Sequence, residues 1–378
     1  MGDELLIVAG EASADLHAAR VLEALRRDHP GLTAFGVGGP ALRAAGLEVV
    51  APAEEISVMG LAEVLPRLPR LLGILSALTR EAERRRPRVA LLVDLPDFNL
   101  RLATRLKKLG VRVVYYISPT IWAWRRGRAR QIAQVVDRML CILPFEPAAY
   151  AGTGVRAEFV GHPFAERPAP QPPGAYRAAL GLEPGRITVA VVPGSRRSEV
   201  KRLLPPMLEA AERIRARHPD AQFVIPLAPT LARQDLAPYL GAHPALSITV
   251  VEGRADEAVG ASDAALVKSG TSTLEAGLML RPMVVVYKLS WLSYLVARLL
   301  VRLSWFSLVN LLVNRQVVPE LLQGGATGER MADELEAVLA EGPARQAQLD
   351  GLREVRASLG EPGAPERVAA VVSGILAP

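Results

Sequence analysis

The chain has 378 residues, of which 50% are hydrophobic and 22% charged, a composition that excludes a disordered protein. Its length exceeds what one ordinary core organises, so we expect two domains. The net charge of +6 favours anionic partners such as nucleotide phosphates or phospholipid headgroups. A single cysteine, Cys141, excludes an internal disulfide. An acidic N-terminus and charged residues within the apolar stretch 283–313 predict neither a secretory signal nor a membrane-spanning helix.

The first half of the chain alternates short apolar stretches with helical patterns, which is typical of a buried parallel sheet. The predicted strands are Leu5–Ala9, Thr33–Val37, Val89–Val93, Arg112–Ile117 and Met139–Leu143. The predicted helices between them include Leu16–Arg27, Leu61–Arg86 and Leu100–Leu109. Several prolines between residues 163 and 173 then predict a linker and a domain boundary.

The same alternation restarts after the prolines. The predicted strands are Ile187–Val192, Gln222–Pro226, Ser247–Val251, Ala264–Val267 and Met283–Tyr287, and residues 327–376 are predicted to be helical. We therefore predict an α/β protein with two doubly wound domains and an active site in the cleft between them.

Two turns of the first domain carry residues suited to ligand binding, because open α/β sheets bind ligands beyond the carboxyl ends of their strands. Gly10 and Glu11 follow the first strand, where Ser13 or Asp15 could instead only cap the next helix. Asp94-Leu-Pro-Asp97 follows the strand Val89–Val93. One of its carboxylates could accept a proton from a substrate hydroxyl, and one could cap a helix.

Two turns of the second domain suit a diphosphate. Gly194-Ser195-Arg196 offers backbone amides, a hydroxyl and a guanidinium at the start of a helix. In Lys268–Glu275, the small residues Gly270, Thr271 and Thr273 suit phosphates, and Glu275 could accept both hydroxyls of a ribose. Helix capping alone is the alternative for this second turn.

Two further motifs are less specific. Trp122 and Trp124 precede a run of arginines, which suits either a ligand site or a packed core beside a solvated helix. Gly36–Ala41 matches the G-x-G-x-x-A dinucleotide pattern. It follows the second predicted strand rather than the first, and Pro40 is equally suited to begin a helix.

We expect no metal and no cofactor, because the five histidines are dispersed and no Asp-x-Asp occurs. Scattered arginines without a DNA-binding motif argue against nucleic acid. Two basic amphipathic helices predict contact with a membrane surface, with ordinary core-facing helices as the alternative. The residues predicted to face lipid are Leu65, Leu68, Leu72, Leu75 and Trp291.

Taken in order, the motifs of this chain resemble those of lipid-A-disaccharide synthases. They are Gly10-Glu-Ala-Ser13, Ser57-Val-Met-Gly60, Asp94-x-Pro-Asp-Phe-Asn99, Ser118-Pro-x-x-Trp-Ala-Trp124, Leu143-Pro-Phe-Glu146, Val160-Gly-His-Pro163, Pro193-Gly-Ser-Arg196 and Ser269-Gly-Thr-x-Thr-Leu-Glu275. The resemblance implies a GT-B fold with Rossmann-like domains at 1–165 and 166–345. Helices in 346–378 would pack back toward the first domain.

The resemblance also implies a reaction. An inverting, metal-independent glycosyltransferase would transfer 2,3-diacylglucosamine from UDP to the 6-hydroxyl of 2,3-diacylglucosamine 1-phosphate. The products would be UDP and the β-1,6-linked lipid A disaccharide 1-phosphate. The enzyme would be cytoplasmic and peripherally associated with the inner face of the cytoplasmic membrane. A homodimer is compatible with the sequence, which does not determine the oligomeric state.

Residue roles follow from the same resemblance. Asp97 would be the catalytic base, with Asp94 as its structural neighbour and competitor. Arg196 would hold the diphosphate, helped by Gly194 and Ser195. The remaining predicted ligands are Asn310 for the nucleotide and Gly10, Glu11 and Trp124 for the acceptor.

Three alternatives stay open at this point. A UDP-sugar epimerase of the same fold would need no lipid-facing helices. In a non-catalytic protein that only binds lipid surfaces, Asp97 and Arg196 would have no function. A nicotinamide-dependent oxidoreductase depends on the weak Gly36–Ala41 match.

Overall fold

The computed structural model describes residues 4–56, 61–124, 127–289, 291, 294–295 and 304–377, without the side chains of 61–67, 123–124 and 271. Its contacts divide the chain into two compact units. The first unit comprises Met1–Glu166 together with Leu359–Pro378, and the second comprises Arg167–Ser358.

The first unit is built on a seven-stranded sheet in which every strand pairing is parallel. Its strands are β1 (Glu4–Ala9), β2 (Thr33–Gly38), β3 (Glu48–Pro52), β4 (Val89–Val93), β5 (Arg112–Tyr116), β6 (Arg138–Cys141) and β7 (Arg156–Phe159). Their spatial order is β3-β2-β1-β4-β5-β6-β7. The α-helices of this unit are α1 (Ala12–Asp28), α2 (Pro40–Ala44), α3 (Leu61–Arg85), α4 (Pro96–Lys108), α5 (Ile121–Trp124) and α6 (Arg128–Ala133).

Both faces of this sheet are covered, which is why its central strands are continuous apolar runs. Alternate residues of β1 enter two different cores: Leu5 and Ile7 pack with α1, and Leu6 and Val8 pack with α3 and α4. The C-terminal helix of the chain, Ala364–Leu376, completes the core on the α1 face.

The second unit has a six-stranded parallel sheet with helices around it. Its strands are β8 (Thr188–Val192), β9 (Gln222–Leu227), β10 (Ser247–Glu252), β11 (Ala264–Lys268), β12 (Met283–Tyr287) and β13 (Glu320–Leu322), in the order β10-β9-β8-β11-β12-β13. The α-helices are α7 (Pro173–Leu180), α8 (Arg197–Arg217), α9 (Arg233–Gly241), α10 (Ala255–Gly260), α11 (Thr271–Leu278), α12 (Leu308–Val313), α13 (Gly328–Leu339) and α14 (Pro343–Ser358). The last helix, Ala364–Leu376, is α15 and belongs to the first unit.

Three strands, β3, β7 and β13, were not predicted from the sequence. Each lies at the edge of its sheet, and each is short or only partly buried. Edge strands of this kind lack the continuous apolar run of a central strand, so a search for such runs misses them. The predicted boundary at residue 346 also falls inside α14, whereas the division between the units lies at Leu359.

Each sheet reverses its strand order at one place, between β1 and β4 in the first unit and between β8 and β11 in the second. Connections leave such a pair of strands in opposite directions, so a crevice opens beyond their carboxyl ends, where open α/β sheets bind ligands. Gly10 and Asp94 follow β1 and β4, and Pro193 and Ser269 follow β8 and β11. The predicted functional turns therefore stand at these two places.

Candidate active site

A pair of carboxylates lies at the strand-order reversal of the first unit. Ala9 and Val93 are register partners at the ends of β1 and β4, so the turns that follow them are neighbours. Burial raises the pKa of Glu11, and the nearby Asp94 carboxylate raises it further. Burial also raises the pKa of Asp94, although a hydrogen bond from the Leu95 backbone acts in the opposite direction. Two acids whose charged forms are disfavoured at one sheet edge are suited to proton transfer.

The turn that carries Asp94 has an unusual backbone. Asp94 and Leu95 both adopt left-handed conformations, with φ of 51° and 48°. The Asp94 amide donates to the Tyr116 carbonyl at 2.9 Å, and the Asp94 carbonyl accepts from the Tyr115 hydroxyl. Asn99 donates through Nδ2 to the same Asp94 carbonyl at 2.7 Å. Non-glycine residues keep an unfavourable left-handed backbone only where surrounding contacts hold it in place. The hydrogen bonds of the Asp94 amide and carbonyl provide such contacts here.

Asp97 occupies a different environment from the one predicted for a base. Helix α4 begins at Pro96, four residues before the predicted start, so Asp97 lies in its first turn. The Asp97 side chain is 88% exposed and pairs with Arg128 at 3.1 Å. The Asp97 carboxylate is thus solvated and ion-paired, whereas Asp94 is partly buried.

The other residues predicted to border the acceptor differ in what they offer. Gly10 is buried, and a side chain there would meet Leu95 at 2.7 Å, so the glycine lets the two turns pack closely. It offers no surface to a ligand, which corrects its predicted role. The side chain of Trp124 lies outside the described residues. Trp122 donates through Nε1 to Glu146 at 3.2 Å, and burial raises the pKa of Glu146 to about 7.

In the second unit, the predicted diphosphate turn binds a carboxylate of its own. Glu199 Oε2 accepts from the backbone amides of Ser195 at 3.0 Å and Arg196 at 3.3 Å. Gly194 has φ of 112°, and the Glu199 carboxylate occupies the space where a side chain at Gly194 would project. In this conformation the Ser195 amide has an anionic partner within the chain, and its contact with a phosphate stays a prediction.

Two cations flank the same carboxylate. Lys268, at the end of β11, pairs with Glu199 Oε1 at 3.1 Å, and the Arg196 guanidinium lies 3.9 Å from it. The Arg196 side chain is 63% exposed. Lys268 was not predicted to have a role. Two features could have indicated it: Lys268 comes directly before the Ser269-Gly270 turn, and β11 pairs with β8, the strand that precedes Arg196.

The turn after β11 uses its hydroxyl residues internally. Gly270 has φ of 151°, a conformation that side-chain-bearing residues rarely adopt. Thr273 is fully buried, and its hydroxyl donates to the Gly270 carbonyl at 2.7 Å. Thr273 thus stabilises the turn and does not face a phosphate, contrary to its predicted role. The side chain of Thr271 lies outside the described residues.

Glu275, the predicted ribose ligand, belongs to a charged cluster. Arg167 bridges it to Asp256, with distances of 3.2 Å to Glu275 and 2.9 Å to Asp256. Burial raises the pKa of Glu275, while Arg167 opposes that shift. The sequence did not indicate Arg167, which lies in the predicted linker far from Glu275 along the chain.

Asn310, which was predicted to bind the nucleotide, makes its side-chain contacts within the protein. Its side chain is fully buried, and both its donors and its acceptor are used within the protein. Nδ2 donates to the Val318 carbonyl and to Glu320, and Oδ1 accepts from the amides of Val317 and Val318. Asn310 therefore fixes the approach to β13 and has no hydrogen-bonding capacity left for a nucleotide.

The dinucleotide-like motif has a structural explanation. Asp15, which is buried, accepts hydrogen bonds from the amides of Gly39 at 2.7 Å, Ala41 at 2.8 Å and Leu42 at 3.2 Å. A side chain at Gly39 would meet Asp15 at 2.7 Å. The amides that a pyrophosphate would need at the start of α2 are thus occupied by a carboxylate of the chain.

The residues predicted to face lipid are divided. Leu75 is 3% exposed and belongs to the core beneath α3, so its predicted membrane contact is wrong. Leu72 is 43% exposed, Leu68 is half-buried, and Trp291 is 75% exposed. The side chain of Leu65 lies outside the described residues.

In the parts of the chain that the structure describes, no helix combines the length and apolarity needed to cross a membrane. No group of three or more His, Cys, Asp or Glu side chains in those parts is arranged to hold a metal ion.

Solved structures share this architecture. The chain is similar to MurG of Acinetobacter baumannii, with a TM-score of 0.60 and 14% identity over 99% of this chain and 100% of that one. It is also similar to a UDP-GlcNAc 2-epimerase from Neisseria meningitidis, with a TM-score of 0.61 and 12% identity over 98% of each chain. Such identities establish the fold alone. The two Rossmann-like units, each with its functional turns at a strand-order reversal, define a protein of the GT-B class.

Sequence comparison identifies the family within this class. The family model described as lipid-A-disaccharide synthetase matches residues 5–370. The lipid-A-disaccharide synthase of Anaeromyxobacter dehalogenans is 72% identical, over 99% of this chain and 98% of its own length. That of Myxococcus xanthus is 54% identical over the same shares. The chain belongs to the lipid-A-disaccharide synthase family and is a glycosyltransferase. The predicted fold class and family are confirmed, and the alternative activities are not favoured.

Proposed function

We propose that this protein joins UDP-2,3-diacylglucosamine to 2,3-diacylglucosamine 1-phosphate. The acceptor 6-hydroxyl oxygen forms the new bond to the anomeric carbon, whose bond to the diphosphate breaks, and UDP leaves. A carboxylate of the protein takes the hydroxyl proton. The observation that carries the proposal is the Glu11–Asp94 pair at the β1–β4 reversal, in a chain whose relatives are named for this synthesis.

We assign the base to Asp94 in preference to Asp97. Burial raises the pKa of Asp94, which makes its carboxylate a better proton acceptor than an ordinary aspartate. The turn around it is held by hydrogen bonds to its own backbone. Asp97, in contrast, is exposed and paired with Arg128. The Asp94 carboxylate also raises the pKa of the nearby Glu11, because neighbouring carboxylates resist ionising together.

The nucleotide is assigned to the second unit. Arg196 and Lys268 are the cations placed to stabilise the charge that develops on the leaving diphosphate. Glu199 holds both of them near the β8–β11 reversal and leaves the Arg196 guanidinium exposed. Glu275 is the candidate for the ribose hydroxyls, and Arg167 opposes the rise in its pKa that burial causes.

We further propose that the enzyme works at the inner face of the cytoplasmic membrane as a peripheral protein. The supporting features are the exposed Leu72 and Trp291, together with a net charge of +6 that favours anionic headgroups. A homodimer stays a prediction, which light scattering of the purified protein would measure.

The proposed reaction is tested by mixing purified protein with both lipid substrates and measuring UDP release together with the disaccharide. Each substrate alone should give no UDP. Incubation with UDP-GlcNAc serves as the comparison for the epimerase alternative. Epimerised sugar nucleotide without disaccharide formation would contradict the proposal.

A further inference from the structure

Asn99 is a fully buried polar residue in the first turns of α4, and its amide group closes the turn that carries Asp94. Nδ2 donates to the Val93 carbonyl at 3.1 Å and to the Asp94 carbonyl at 2.7 Å. The Tyr115 hydroxyl, on the neighbouring strand β5, donates to the same Asp94 carbonyl. Two side chains from different elements therefore converge on one backbone oxygen.

The rest of the Asn99 side chain has an unfavourable environment. Its Oδ1 is buried and has no hydrogen-bond partner among the described residues. A buried acceptor without a partner costs free energy, and an apolar side chain of similar volume would not have that cost. The unpaired Oδ1 of Asn99 therefore lowers the stability of the fold. What the same amide group contributes is the pair of hydrogen bonds from Nδ2 to the carbonyls at the end of β4.

Those carbonyls need holding because of the backbone that follows them. Asp94 and Leu95 are consecutive non-glycine residues in the left-handed region, which is unfavourable for side-chain-bearing residues. Without donors on the Asp94 carbonyl, the turn can relax toward ordinary conformations. Rotation of the Asp94 backbone would redirect its carboxylate, and a misplacement of about 1 Å can reduce a reaction rate by as much as 10²-fold.

We propose that Asn99 and Tyr115 are positioning residues for the reaction: by binding the Asp94 carbonyl, they fix the direction of the Asp94 carboxylate toward the acceptor hydroxyl. The inference rests on the proposed function, in which Asp94 is the base. Neither residue needs to touch the substrate. Their substitution should therefore lower kcat and leave the KM of both substrates within about twofold, as expected for an effect confined to the chemical step.

Strand β5 offers a matched pair of variants. Tyr115 and Tyr116 are adjacent and both buried. The Tyr116 hydroxyl, unlike that of Tyr115, has no hydrogen-bond partner in the described part of the structure. Tyr115→Phe should lower kcat about 10-fold through misplacement of the base, whereas Tyr116→Phe should leave it unchanged. Equal kcat values for the two variants would overturn the role of Tyr115.

A double-mutant cycle with Asp94 separates positioning from a general structural role. Asn99→Leu alone should lower kcat about 100-fold, with cooperative thermal unfolding retained. In the Asp94→Asn background it should have almost no further effect, because there is no base left to position. Independent losses that multiply in the double variant would overturn the inference. If Asn99→Leu does not fold, Tyr115→Phe takes its place in the cycle.

The same variants separate the assignment of Asp94 as the base from the positioning role of Asn99 and Tyr115. Full activity of Asp94→Asn would refute the base assignment itself. An inactive Asp94→Asn beside fully active Asn99→Leu and Tyr115→Phe would refute only the positioning role. UDP affinity, measured by calorimetry on every variant, should stay at the wild-type value, since these residues lie in the first unit and the nucleotide is assigned to the second.

Discussion

Replacing Asp94 by Asn tests the base assignment with little change in shape. Asparagine keeps the size of the side chain and much of its hydrogen bonding, but it cannot accept the proton of the acceptor hydroxyl. The backbone bonds that hold this turn involve the Asp94 amide and carbonyl, so the substitution leaves them in place. Any large loss of turnover therefore reports the missing base rather than a collapsed turn.

The expected loss in kcat is about 10²–10⁴-fold, the usual contribution of a general base. It corresponds to about 3–5 kcal/mol of transition-state stabilisation at 1.36 kcal/mol per tenfold change. Asp97→Asn is the matched control three residues away. Its side chain is 88% exposed and contributes one surface ion pair, so kcat should change less than about threefold.

The stability of Asp94→Asn should move in the opposite direction from its activity. Because the pKa of Asp94 is raised in the folded protein, this group contributes stability at low pH that is lost as pH rises through the folded pKa. The variant has no charge to bury. Its melting temperature should therefore match the wild type below the ordinary aspartate range and exceed it at neutral pH.

The assay is disaccharide formation at saturating substrates from pH 4 to 8, with thermal unfolding recorded from below the ordinary aspartate pKa up to pH 8. Wild-type turnover should rise with pH through the raised pKa, since the base must be ionised, and Glu11 shares that titration with Asp94. An active Asp94→Asn beside an inactive Asp97→Asn would refute this reasoning and return the base role to Asp97.

Three further outcomes are expected. Arg196→Ala should lower kcat about 10²-fold or more without unfolding the protein. Arg196→Lys should recover only part of that loss, because an ammonium cannot reproduce the planar guanidinium fork. Disaccharide assays and calorimetry with UDP measure both effects, and wild-type values in Arg196→Ala would exclude a role of Arg196 in holding the diphosphate. Exhaustive EDTA treatment should leave turnover unchanged, and a loss that magnesium or manganese restores would contradict the metal-independent reaction. Leu72→Ser should weaken sedimentation with anionic vesicles and leave the melting temperature unchanged. Leu75→Ser should instead lower the melting temperature, because Leu75 is buried in the core. Equal vesicle binding by wild type and Leu72→Ser would exclude Leu72 from the membrane contact.

The parallel strands that carry the functional turns were predictable because they are central. Strands β1, β4, β8 and β11 are apolar on both faces, and the polar residues that follow them mark the carboxyl edges. The edge strands β3, β7 and β13 were missed because each is short or only partly buried and lacks a continuous apolar run. Which turns become neighbours depends on strand order, which local patterns do not encode.

The roles of single residues were less predictable than the location of the site. Gly10 and Thr273 lie at the expected strand ends, but their contacts, like those of the Asn310 side chain, are internal to the protein. A motif residue that stabilises a turn and one that contacts a ligand have the same sequence signature. Asp94 and Asp97 differ in burial, and Lys268 lies beside Arg196 through a tertiary contact. Spacing along the chain reveals neither fact.

Helix α15 gives the first unit a particular order of assembly. Val368 and Val372 pack in the same core as residues of α1, and Arg88 donates to the carbonyls of Leu376 and Ala377. A ribosome therefore releases all of Arg167–Ser358 before the first unit receives its last helix. The second unit, which is continuous in sequence, can fold while the first still exposes an apolar face. Until α15 is present, the residues of the first unit that pack against it stay exposed, so removal of Ala364–Leu376 should destabilise the unit whose other elements come first in the sequence.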